Sequence, residues 1–69
     1  MKTNLRRHRF ESGELSQQQL ADMVGVSRQT IVSIERGDYA PSVKLALLIA
    51  AALETTVESL FTLEDKDHA

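Results

Sequence analysis

Residues 15–37 read LSQQQLADMVGVSRQTIVSIERG, and they predict two short helices joined by a tight turn. Ser16 and Ser27 each precede a run with helical spacing of apolar residues, where a serine hydroxyl can cap the first turn. Gly25 separates the two runs and tolerates the positive φ that a sharp turn needs. We therefore expect helices over residues 17–24 and 28–36 that cross at a steep angle.

The side chains of this stretch divide into an inner and an outer set. The inner set, which we expect the two helices to bury between them, comprises Leu20, Val24, Val26, Ile31 and Ile34, with Ala21 small enough for a close crossing. The outer face of the second helix carries Arg28, Gln29, Val32 and Ser33. The small residue, the glycine four positions later and the apolar residues around them are together typical of a helix-turn-helix motif.

The flanking sequence predicts three more helices and therefore an all-α fold of five helices. Apolar residues recur there at helical spacing, and Gly and Pro stand at the breaks. We expect a first helix from Lys2 or Asn4 to Ser12, a fourth from the cap Ser42 to about Leu53, and a short fifth over residues 57–61 after the cap Thr56. Residues 1–63 then form one domain, and the charged residues 64–69 form a frayed tail.

Composition limits the chemistry open to the chain. With 69 residues and no Cys it is one small domain without disulfides or thiolate metal sites, and His8 and His68 do not make a ligand set. The longest apolar run, residues 45–53, is too short for a membrane span. We expect a soluble, cytoplasmic protein with no membrane contact, no metal and no cofactor. The acidic residues are dispersed and no glycine-rich phosphate loop occurs, so we expect no enzymatic activity.

Charge is unevenly distributed along a chain whose net charge is −2. Through Arg36 the chain has six basic and four acidic residues, whereas from Gly37 onward it has two basic and six acidic ones. A polyanion is drawn to the first half and repelled by the second. The difference also fits an ordinary solvated surface, so it is a weak indication of a nucleic-acid partner.

Residues 4–61 resemble the lambda-repressor-like, Xre-type helix-turn-helix regulators, in particular the small stand-alone ones. The match is carried by LSQQQLADMVGVSRQTIVSIERG, and then by YAPS, LALLIA and VESLF. The resemblance implies five helices, with the motif formed by the second and third. It also implies a homodimer that binds double-stranded DNA at an inverted-repeat operator and regulates transcription, most simply as a repressor.

The resemblance assigns the DNA contacts mainly to the third helix, which in such domains lies in the major groove with its N-terminal residues toward the bases. It implies base contacts by Arg28, Gln29, Val32 and Ser33, and phosphate contacts by Gln17, Ser27, Thr30 and Arg36. Arg suits guanine and Gln suits adenine, each through paired hydrogen bonds. Alternatives stay open, because Arg28 and Gln29 also suit a solvated surface and Arg36 also suits the carbonyls that end its helix.

The resemblance also implies a structural ion pair. Relatives of this kind commonly pair an Arg of the first helix with the Glu near the end of the third, and Arg9 and Glu35 stand at those positions. Glu35 is therefore a poor candidate for catalysis. The chain departs from the family pattern at Glu14, one extra residue before the motif, and at Glu54, where many relatives carry Gly.

The fourth helix is more apolar than one buried face requires. Leu45, Leu48, Ile49 and Ala52 form one side, yet the opposite side is apolar as well. A helix apolar nearly all round needs two partners. We expect the second partner to be another copy of the chain, with interface candidates Leu47, Ala51, Leu60, Phe61 and Leu63. The alternative is that the first and fifth helices cover the whole surface.

Two other functions stay open beside that of a stand-alone regulator. One is the antitoxin of a toxin–antitoxin pair, in which a similar domain binds both operator DNA and a toxin protein. The chain shows no long disordered extension of the kind that commonly neutralises a toxin, which counts modestly against this reading. The other is a protein-interaction module with a degenerate DNA face, and the presence of Arg28 and Gln29 argues against it.

Overall fold

The order of elements follows the sequence prediction, with a small sheet added at the two ends of the domain. The computed structural model describes residues 1–68. Within these residues the helices are α1 (Leu5–Glu11), α2 (Gln17–Val24), α3 (Arg28–Glu35), α4 (Val43–Ala52) and α5 (Val57–Leu60), the strands are β1 (Lys2–Thr3) and β2 (Phe61–Thr62), and a 3₁₀ helix follows over Asp65–His68. The prediction of a five-helix, mainly helical fold is confirmed.

Side-chain hydroxyls cap the N-termini of four of the helices described in residues 1–68, as predicted. Ser16, Ser27, Ser42 and Thr56 each accept a hydrogen bond from the backbone N–H three residues further on. The Ser16 N–H in turn donates to Gln19 Oε1, which completes a capping box. Each cap contributes about 1 kcal/mol to helix stability.

The strand pair was not predicted, since the sequence indicated helices throughout. β1 and β2 pair antiparallel with Lys2 opposite Thr62 and Thr3 opposite Phe61. The pairing joins residues far apart in the sequence, and two residues per strand are too few to show an alternating pattern. It delays the start of α1 to Leu5 and ends α5 at Leu60, one residue before the predicted end.

The core is built from side chains of all five helices. Leu5, Leu20, Ala21, Ile31, Ile34, Ile49 and Leu60 are fully buried. The predicted inner set of the motif is confirmed, because Leu20, Val24, Ile31 and Ile34 are buried and Val26 packs half-buried against them. Burial of this face holds the opposite face of α3 outward.

The buried face of α4 differs from the predicted one. Leu45 and Ile49 are buried as expected, but Ala46 and Ala50 join them, while Leu48 is exposed and Ala52 is only half-buried. Because α4 is apolar almost all round, apolar spacing alone did not distinguish neighbouring stripes of the helix. Within residues 1–68, no helix combines the length and apolar character that a membrane crossing requires.

Within the charged tail, predicted to fray, Asp65–His68 form a 3₁₀ helix, and two acidic side chains of the tail contact the first residue. The Met1 ammonium lies 3.0 Å from Asp67 Oδ2 and 3.3 Å from Glu64 Oε1. The hydrogen bond to Asp67 raises the pKa of the Met1 ammonium, and the backbone N–H of Glu64 lowers the pKa of Asp67. The last residue of the predicted tail, 69, lies outside the described residues.

Candidate DNA-binding surface

The turn between α2 and α3 sets the angle at which α3 is presented. Gly25 adopts φ +78°, and the N–H groups of Gly25 and Val26 both donate to the Ala21 carbonyl, at 2.9 and 3.0 Å. Ala21 is fully buried at the crossing of the two helices. A larger side chain at Ala21 would push the helices apart. The crossing angle therefore depends on the small Ala21 and on the left-handed backbone conformation of Gly25.

The predicted base-contacting residues lie together on one face of α3. Arg28 and Gln29 are exposed in its first turn, and Val32 and Ser33 follow half-buried one turn later. At 3.6 residues per turn these four side chains span about 140° of the helix surface. We call them the reading face. Ile31 and Ile34 point to the core from the other side of the helix, so the reading face stays at the surface, with Arg28 and Gln29 exposed.

The predicted phosphate contacts Ser27 and Thr30 are tied to each other. Ser27 Oγ accepts from the Thr30 N–H at 3.3 Å and lies 3.1 Å from Thr30 Oγ1. Their hydroxyls therefore fix the first turn of α3. Arg36, at the end of α3, is exposed and lies 3.3 Å from the exposed Asp38 carboxylate. An exposed pair of this kind contributes little stability, so Arg36 is free to exchange Asp38 for another anion.

Gln17 has a structural role that sequence reasoning missed. Its Nε2 donates to Glu35 Oε1 at 3.2 Å, so it is linked to the pair of Arg9 and Glu35. Arg9 donates to Glu35 through Nε at 2.7 Å and Nη2 at 3.1 Å, and through Nη1 to the Leu15 carbonyl at 2.7 Å. This network joins α1, the start of α2 and the end of α3. It therefore holds the end of α3 in place.

Tyr39 is the residue near the reading face that sequence reasoning did not single out. It lies in the loop after α3 and, with Ser27, Gln29, Thr30 and Ser33, lines a shallow pocket of about 250 Å³. Tyr39 is 47% exposed. The available signal was an aromatic residue in a polar loop directly after the motif, where no core position requires it.

The predicted dimer candidates do not all reach the surface. Leu47 and Leu63 are 56% and 60% exposed, Ala51 is exposed and Phe61 is half-buried. The prediction of Leu60 as an interface residue is wrong, because Leu60 is fully buried in the chain's own core. Val43 and Leu48, which were not singled out for the interface, extend the exposed apolar surface of α4.

Comparison with known proteins identifies the family of this fold. A family model described as "Helix-turn-helix" matches residues 7–60. This range covers α2 to α5 completely and all of α1 except its first two residues. The chain belongs to the helix-turn-helix family. This family comprises DNA-binding transcriptional regulators and is not an enzyme family.

Relatives of similar length match nearly the whole of this chain. An uncharacterised HTH-type transcriptional regulator of Methanothermobacter thermautotrophicus is 48% identical, and the match covers 94% of each chain. The uncharacterised HTH-type transcriptional regulator YgzD of Bacillus subtilis is 43% identical, and the match covers 97% of this chain and 100% of YgzD.

A solved helix-turn-helix structure has the same fold. The crystal structure of the restriction-modification controller protein C.AhdI from Aeromonas hydrophila superposes with a TM-score of 0.73 at 37% identity. The match covers 83% of this chain and 85% of C.AhdI. The resemblance to small helix-turn-helix regulators, predicted from the motif, is therefore confirmed.

Proposed function

We propose that this protein binds a specific double-stranded DNA operator as a homodimer and represses transcription from it in the cytoplasm. The observation that carries the proposal is the reading face, which presents Arg28 and Gln29 at the exposed N-terminal end of α3. An Arg and a Gln side by side at this end of a helix suit the hydrogen-bonding edges of guanine and adenine in the major groove.

The second donor of Gln17 supports its proposed phosphate contact. A side-chain amide nitrogen carries two hydrogens, and one of them serves the bond to Glu35. The other can donate to a phosphate without breaking the network that holds α3. Arg36, Ser27 and Thr30 flank the reading face and would contact the same DNA backbone.

The exposed apolar surface supports the homodimer. Val43, Leu47 and Leu48 of α4 and Leu63 after β2 are apolar side chains exposed to solvent in the single chain. Burying them between two copies would remove this surface from water and would place two reading faces in a two-fold arrangement. Such a dimer reads two inverted half-sites about one helical turn apart. Repression is its simplest effect, because occupying an operator requires no contact with polymerase.

Selection from a pool of random DNA duplexes tests the proposal. Purified protein is incubated with the pool at physiological salt and excess nonspecific competitor, and retained duplexes are sequenced. We expect two inverted half-sites, and we expect the double variant Arg28→Ala, Gln29→Ala to enrich none. Enrichment of a single half-site would refute the dimeric reading. No enrichment by folded protein would refute stand-alone operator recognition and favour a function that needs a protein partner.

A further inference from the structure

The backbone after α3 fixes the position of Tyr39 beside the reading face. The Gly37 N–H donates to the Ile34 carbonyl and the Asp38 N–H donates to the Ser33 carbonyl, both at 3.0 Å. Gly37 adopts φ +80° between them, so the chain ends α3 in a Schellman motif and turns back along the helix. Tyr39 follows directly and is therefore held near Ser33 by backbone hydrogen bonds.

The pocket that Tyr39 lines has a distinct chemistry. It is lined by three hydroxyl-bearing residues, one amide-bearing residue and one aromatic residue: Ser27, Thr30, Ser33, Gln29 and Tyr39. Ser27 and Thr30 are placed to contact the DNA backbone, since hydroxyls bind phosphate oxygens as Arg and Lys do, and this leaves Gln29, Ser33 and Tyr39 for the bases. Neutral donors and acceptors beside an aromatic ring suit the edge of a base pair, where an amide reads the polar atoms and an apolar surface contacts a thymine methyl.

We propose that Tyr39 is a specificity-determining residue, whose ring forms the wall of the pocket that receives one base-pair edge beside Gln29 and Ser33. The inference rests on the proposed DNA-binding function. A tyrosine ring has few rotatable bonds and offers a large contact area at low entropic cost, which suits it to this role. Its restricted position limits which base edge fits next to the Gln29 amide.

The test compares base preferences of the wild type with those of Tyr39→Ala, Tyr39→Leu and Tyr39→Phe in the same random-duplex selection. We expect Tyr39→Ala and Tyr39→Leu to lower the discrimination at one position of each half-site by about tenfold, the scale of one good base contact. Tyr39→Phe keeps the ring and should keep the preference. Met23→Ala, which removes a similarly exposed side chain from α2, is the control and should match the wild type.

Two results would overturn the role of Tyr39. One is an unchanged base preference in Tyr39→Ala, and the other is an equal loss of affinity for every sequence, which would assign Tyr39 to the DNA backbone. Urea unfolding of each variant confirms that folded proteins are compared. A wild type that enriches no half-site would instead refute the proposed function itself, and that failure is visible before any variant is examined.

Discussion

Arg9 and Glu35 form a bidentate ion pair, with two hydrogen bonds, that connects the first and third helices. Arg9 Nε lies 2.7 Å from Glu35 Oε2, and Nη2 lies 3.1 Å from Oε1. The two side chains are 10% and 9% exposed. The Leu15 carbonyl accepts a further hydrogen bond from Arg9, and the Gln17 amide donates one to Glu35. Both charges are therefore satisfied by hydrogen bonds at low solvent exposure. The pair therefore holds the end of α3 against α1.

Removing one partner of this pair should strongly destabilise the fold. We expect Arg9→Ala to lower the free energy of unfolding by about 3–5 kcal/mol, because Glu35 is left as an unpaired charge of low exposure. Urea denaturation followed by circular dichroism measures the change. Arg7→Ala is the matched control, since Arg7 is 77% exposed in its pair with Glu11 and should change stability by less than about 1 kcal/mol. Equal effects of the two variants would contradict the prediction.

Arg28 and Gln29 should affect DNA binding without affecting the fold. We expect Arg28→Ala and Gln29→Ala each to weaken binding to the selected operator by about 1–3 kcal/mol, because each removes a pair of hydrogen bonds to one base. Fluorescence anisotropy with labelled duplexes measures the affinity at fixed salt. Gln18→Ala, which alters an exposed glutamine of α2 away from the reading face, should bind as the wild type does. An equally weak Gln18→Ala would show that the loss is not local.

Charges placed on the exposed apolar surface should prevent dimer formation. Leu47→Glu and Leu63→Glu would each bury a carboxylate in an interface, which is strongly unfavourable without a partner. We expect sedimentation equilibrium to show monomers for both variants and dimers for the wild type. Met23→Glu, which places the same charge on α2, should remain dimeric. A monomeric wild type would contradict the proposed homodimer.

Leu60 should behave as a core residue in the same series. We expect Leu60→Ala to lower the free energy of unfolding by about 2–5 kcal/mol, the range for removing most of a buried leucine side chain. Chemical denaturation measures the free energy of unfolding of the variant and of the wild type. A variant that lost the dimer while keeping the stability of the fold would instead place Leu60 at the interface.

Glu54 is a site where a glycine should stabilise the protein. Glu54 has φ +53° at the end of α4, where its N–H donates to the Ala51 carbonyl and the Thr55 N–H donates to the Ala50 carbonyl. A residue with a Cβ pays about 1 kcal/mol for this left-handed conformation, and glycine does not. We expect Glu54→Gly to raise the free energy of unfolding by about 0.5–1 kcal/mol in thermal or urea denaturation. The gain is smaller than the relieved strain, since glycine is freer in the unfolded chain.

Glu58 provides the opposite control. It lies in the first turn of α5, in a helix where glycine is unfavourable. We therefore expect Glu58→Gly to lower stability by about 1 kcal/mol. A loss of stability in both variants would show that the conformation at Glu54 carries no strain.

Local chemistry explains why much of the fold was predictable. A cap such as Ser16 or Thr56 bonds to a backbone N–H three residues away, so its effect is visible in four neighbouring residues. The turn at Gly25 and the buried positions of α2 and α3 are equally local, because two short helices joined by a tight turn can bury only their facing sides. The positions of Arg28 and Gln29 on the outer face follow from the same periodicity.

Contacts between segments that are distant in the sequence explain which features of the fold were not predicted. The β1–β2 pairing, the contact of Met1 with Asp67 and the bond from Gln17 to Glu35 each join residues that are separate in the sequence. Which stripe of α4 is buried depends on the shapes of its neighbours, because nearly every residue of that helix is apolar. Tyr39 reaches the reading face through a backbone turn that returns along α3.

The sequence by itself determined where helices begin, which face of the motif is buried and which side chains of α3 lie outside. These features depend on hydrogen bonds and apolar spacing within one or two turns of helix. The tertiary structure alone decided that Leu60 belongs to the core, that Leu48 stays exposed and that Tyr39 joins Gln29 at one pocket. Those outcomes depend on how whole helices pack, and packing is settled only when all the segments meet.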